Sequence, residues 1–226
     1  MECDVHMTSE PQYPEPAERV PAWLRPLRII REHIHAYLIL NAAAYGLTII
    51  GLVIGLVFPA LTAARSATME DDGTGDLVRG LVSTPLLFAL TILTVNLVRL
   101  SLLTIVLPSL IVPFAGLVLF SYWAVQTGIT LAPDGPDGWV VLIPHCLTVV
   151  IELQAYVLLL LGAYLLGRYW LVPGAAATTT RRGGYSRGLH QIRVLALPAL
   201  ILLIVGAMWE AYSLRYLVHP LGQLLL

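Results

Sequence analysis

Five residues able to carry charge or make strong hydrogen bonds fall inside otherwise apolar runs of this chain. They are Asn96 and Arg99 in one run, His145 and Glu152 in a second, and Glu210 in a third. An ionisable side chain at mid-span costs on the order of 3 kcal/mol, so each needs a partner within a bundle or access to water. His145 and Glu152 are seven residues, or two helical turns, apart and share a helix face, with Thr148 and Tyr156 close to the same stripe. Two chemistries fit this set. Arg99 can form a structural ion pair with Glu152 or Glu210, or else His145, Glu152 and Glu210 can relay a proton or an ion. Two acids to one base leave one carboxyl over, to be protonated, bonded to Asn96 or Asn41, or used functionally. Other chemistries lack their residues. The sequence has no His-Glu-x-x-His, no Gly-x-Ser-x-Gly and no phosphate-binding loop, so a noncatalytic protein without cofactor is expected. His145 and Glu152 supply two metal ligands, short of a site.

The elements that hold these residues are membrane spans. Of 226 residues, 58 % are hydrophobic and 12 % charged, about half the charged fraction of a soluble chain. Mean hydropathy is +0.79. An all-α integral membrane protein is expected, a bundle of about five transmembrane helices preceded by an amphipathic interfacial helix. Residues 1–22, with Pro11, Pro14, Pro16 and Pro21 among glutamates, read as a flexible cytoplasmic tail. Residues 23–36 read as the interfacial helix, with Leu27, Ile30 and Ile34 on one side and Arg28, Arg31, Glu32 and His35 on the other. Residues 37–226 form the transmembrane helical domain, with spans expected at about 37–63, 85–107, 114–131, 139–167 and 194–217 and an outer loop at 64–84. A single kinked helix over 85–131 would reduce the count to four. Charge selects five. With the amino terminus inside, nine arginines lie on cytoplasmic segments and three (Arg65, Arg79 and Arg215) lie outside. The carboxyl terminus then faces outward. Gly46, Gly51, Gly55, Gly162 and Gly167 are expected to permit close helix approach. A net charge of −1 argues against nucleic acid as a partner.

Several landmarks fall in a familiar order: Asn96-Leu97-Val98-Arg99, Phe120-Ser121-Tyr122, Ile143-Pro144-His145, Glu152-Leu153-Gln154-Ala155, Gly162 and Gly167, and Trp209-Glu210-Ala211-Tyr212. In this the chain resembles the stage II sporulation protein M family of bacterial multispan proteins over roughly residues 37–220. It departs from that pattern at Ser121-Tyr122 in place of Asn-Gly, at Cys146 in place of Gly, and in the seven-residue step from His145 to Glu152. The resemblance implies a protein of the bacterial inner membrane, working as a noncatalytic component or scaffold of a partner complex. The implied partners are the lipid bilayer and other membrane or cell-envelope proteins. It also implies motif roles for Ser121, Tyr122, Pro144, Ala155 and Gly162. The alternative function is a membrane transport subunit, either an ion-coupled carrier or a permease served by a separate ATPase, motivated by Arg99, Glu152 and Glu210.

Overall fold

The computed structural model describes residues 21–225, so the expected tail lies almost wholly outside the described residues. Among these residues there are nine helices and no strand: α1 (Arg25–Glu32), α2 (Ile34–Val57), α3 (Pro59–Asp71), α4 (Thr74–Leu81), α5 (Pro85–Ile111), α6 (Ala115–Leu131), α7 (Gly135–Leu171), α8 (Arg181–Tyr216) and α9 (Val218–Leu225). The protein is an all-α integral membrane bundle. Helices α2, α5, α7 and α8 are long and apolar enough to cross a membrane. At 17 residues, α6 is shorter, spanning about 26 Å at 1.5 Å per residue.

Several boundaries depart from those expected, each for a local reason. The first span stops at Val57, not near residue 63, because Pro59 forces Phe58 out of the helical region (φ −120°, ψ 75°) and then begins α3. The expected outer loop is largely helical. Arg79 bridges α3 and α4 by donating to Glu70 Oε1 and Oε2 (2.9 and 2.7 Å) and to Asp76 Oδ1 (2.7 Å), around a left-handed Gly73. The basic segment before the expected fifth span is helical from Arg181, capped by Thr180 Oγ1, which accepts from Gly183 N–H (3.1 Å). This extension is held close to the end of α7: a Cβ on Gly184 would meet the Tyr169 carbonyl, and one on Gly188 would fall 2.5 Å from Leu166 Cα.

The segment 85–131 is two helices, not one kinked helix. Val112 is extended and Phe114 left-handed (φ 66°), and the chain folds back so closely that a Cβ on Gly116 would strike the Ile105 carbonyl. Ser109 Oγ accepts from Gly116 N–H (3.1 Å), and the Phe114 ring packs over Gly167 and beside Tyr164. Beyond this turn α6 runs parallel to α2. Gly51 meets Val125 and Gly128, and Gly55 meets Ile129 and Ala132, at distances that only glycine permits. Helices α7 and α8 are antiparallel, with Gly162 on Ile192 and Gly206 on Glu152. Helix α7 is central, buried without a break from Ala155 to Ala163. Gly46, expected at a close approach, has nothing within 4 Å of a would-be Cβ.

Candidate functional site

The expected polar residues converge from three helices. Asn96 sits on α5 within Val95–Val106, a π-helical stretch in which Ser101 Oγ donates to the Asn96 carbonyl (2.9 Å) and Thr104 Oγ1 to the Arg99 carbonyl (2.8 Å). Both bonds reach five residues back, matching the wider register. Such stretches are rare and often accompany functional sites. Asn96 Nδ2 donates to Glu152 Oε1 of α7 at 2.5 Å. Across from it, α8 offers no side chain at Gly206, where an added Cβ would fall 3.1 Å from Glu152 Cγ. Glu210, one turn along α8, lies with Oε1 3.4 Å from His145 Nδ1. Trp209 Nε1–H donates to the Pro144 carbonyl (3.0 Å) and fixes α8 against α7 beside this contact.

Two hydroxyls on the same stripe of α7, Thr148 Oγ1 and Tyr156 O–H, are fully buried without a hydrogen-bond partner among the described residues. Tyr156 packs against Phe120 and Trp123 of α6, with centroids 5.9 and 5.4 Å away. The site therefore joins two carboxyls, an amide, an imidazole and two unused hydroxyls inside the bundle. Among the described residues no three metal-ligating side chains converge.

Arg99 requires a correction. Its side chain is exposed on the outside of α5, and no ion pair to Glu152 or Glu210 exists among the described residues. Asn96 and Glu152 face inward, so Arg99, three residues further along the widened π-helical register, does not. Asn41 also does not bond a carboxyl. Asn41 Oδ1 instead accepts from Gln154 Nε2 (2.7 Å) in a network between α2 and α7. There Tyr37 O–H donates to Gln154 Oε1 (2.8 Å), Gln154 Nε2 donates also to Tyr45 O–H (2.8 Å), and Tyr45 O–H donates to the Val150 carbonyl (3.0 Å). Sequence reasoning assigned no role to Tyr37, Tyr45 or Gln154. The available signal was the spacing of Tyr37, Asn41 and Tyr45 by four, one polar stripe on an apolar span.

Of the motif residues, Ala155 is fully buried, Gly162 seats Ile192, and Pro144 holds Trp209 through its carbonyl. Ser121 Oγ donates to its own helix at the Leu117 carbonyl (2.9 Å). Tyr122 is exposed, its O–H accepting from Gln126 Nε2 (3.1 Å), and neither joins the carboxyl site. No protein-family model, no curated protein and no solved structure matches the chain.

Proposed function

We propose that this chain is a multi-pass protein of the bacterial inner membrane, amino terminus cytoplasmic and carboxyl terminus outside, acting noncatalytically as an ion-coupled membrane transport subunit. The observation that carries the reading is the pairing of Glu152 with a neutral amide, Asn96, while Arg99 of the same helix faces away. A structural ion pair would have used Arg99. A carboxyl held by an amide in a low-dielectric bundle needs a proton or a cation to balance its charge, and exchange of that ion is the elementary step of coupling. Glu210 and His145 supply a second exchange position about one turn further along α8, and the hydroxyls of Thr148 and Tyr156 on the Glu152 stripe are left without partners among the described residues. Gly206 supports the same reading, because a side chain there would crowd Glu152 Cγ.

Purified protein reconstituted in liposomes enclosing a pH-sensitive dye tests the proposal. Under an imposed potassium diffusion potential, the parent should move protons faster than protein-free vesicles, and Glu152→Gln should not. Flux equal to that of empty vesicles in the parent overturns the transport reading and leaves the scaffold role implied by the family resemblance. Reporter fusions after Asp76, Arg182 and Leu226 test the orientation, with Arg182 expected on the cytoplasmic side and the other two outside.

A further inference from the structure

Between α1, the end of α7 and the beginning of α8 lies a cleft of about 960 Å³. Its charged lining is Arg25, Arg28 and Arg187 against one carboxylate, Glu32, which lies 3.4 Å from Arg28 Nε. His33 lines it too, with Nε2 3.0 Å from Tyr169 O–H. Burial, aided by the nearby Arg168 charge and opposed by Glu32, holds the His33 imidazole below its ordinary value of 6.5, so the arginines carry the positive charge at neutral pH.

The depth of the cleft follows from its neighbours. His33 and Tyr169 mark the start of α2 and the end of α7, and Trp170 packs edge-on against Tyr185 with centroids 5.0 Å apart. Aromatic side chains at span ends occupy the headgroup layer, so the cleft opens at the level of lipid phosphates. The fitting ligand carries an anionic oxygen group for the guanidiniums.

We propose that this cleft binds the headgroup of an anionic phospholipid, its phosphodiester on Arg25, Arg28 and Arg187. The site is independent of the carboxyls in the bundle and of whether they exchange ions.

Native mass spectrometry of the full chain, titrated with phosphatidylglycerol, phosphatidic acid, phosphatidylcholine and, separately, inorganic phosphate, tests the assignment. Phosphatidylglycerol should bind far more tightly than phosphatidylcholine. Each Arg→Ala substitution should weaken it roughly fivefold, as expected for loss of one basic residue near anionic lipid, and Arg→Lys much less. The three arginines are exposed, so these variants leave the packed bundle untouched. Equal binding of phosphatidylcholine, or parent-like lipid binding by the triple arginine variant, overturns the proposal. So does full displacement of phosphatidylglycerol by inorganic phosphate at equal concentration, which identifies a free-anion site.

Discussion

Glu152 and Gln154 stand two residues apart on α7 and serve opposite neighbours. Gln154 turns to α2, where both amide hydrogens and the carbonyl oxygen are engaged by Asn41, Tyr45 and Tyr37, all neutral. Glu152 turns to α5 and α8, where it meets one amide and a glycine, with unpartnered hydroxyls on its own stripe. The first cluster is closed: it satisfies itself and joins two helices. The second is open, carrying ionisable groups and bonding capacity beyond what holding helices together requires. Interhelical hydrogen bonds contribute modestly, averaging about 0.6 kcal/mol in a membrane, so only the closed cluster reads as glue.

Substitutions at the two positions should separate these roles. Gln154→Leu removes three interhelical bonds and leaves the α2 stripe without its centre, so thermal unfolding in detergent should show a loss of roughly 2 kcal/mol. A loss no greater than that of an outward-facing substitution would dissolve the distinction. Glu152→Gln keeps a group able to bond Asn96 and removes the charge, so its unfolding temperature should equal or exceed the parent's, with stability changed by about 1 kcal/mol or less. Glu210→Gln should fall slightly below the parent in the same assay, since it weakens the contact with His145. Arg99→Ala should change stability by no more than about 0.5 kcal/mol, because the side chain lies on the exterior and holds neither carboxyl. A larger loss would restore Arg99 to the site.

The smallest effect concerns pH at the membrane face. With its folded value below 6.5, His33 takes up a proton more readily when unfolded, so its contribution to stability is full above 6.5 and lost as pH falls through the lowered value. Unfolding temperatures followed from neutral pH to about pH 5 should decline more for the parent than for His33→Gln. Matching declines would remove His33 from the account.

Composition alone made the helical membrane bundle legible, because long uncharged runs have few other solutions in lipid. The reversal at Val112 and Phe114 was legible through charge: two prolines mark a break without saying which way the chain leaves it, whereas the distribution of arginines does. His145, Glu210, Asn96 and Glu152 were each named as site residues, and a carboxyl bonded to Asn96 was among the options, yet the pairing with Arg99 was misjudged. Opposite formal charge suggested Arg99, and a π-helical register, which depends on backbone bonds and not on side-chain periodicity, turns that residue outward. The Gln154 network stayed hidden for another reason. Tyrosine and asparagine on an apolar span look tolerable singly, and their common partner lies more than a hundred residues away. The helical start of α8 was missed because Arg181–Arg193 is polar; what holds it is the small glycine face against Tyr169 and Leu166.

The parallel seam between α2 and α6 bears on how the chain enters the bilayer during synthesis. At 17 residues, α6 falls at the lower limit for covering the hydrocarbon core by itself, and its interior face is interrupted by Gly116 and Gly128. Its seat, the groove at Gly51 and Gly55 of α2, has already left the ribosome when α6 emerges. The geometry therefore predicts that α6 inserts against this earlier segment and depends less on its own partitioning. Substituting leucine at Gly51 would then act as a defect of insertion, leaving a misthreaded chain for quality-control proteases, before it acted as a defect of the finished fold.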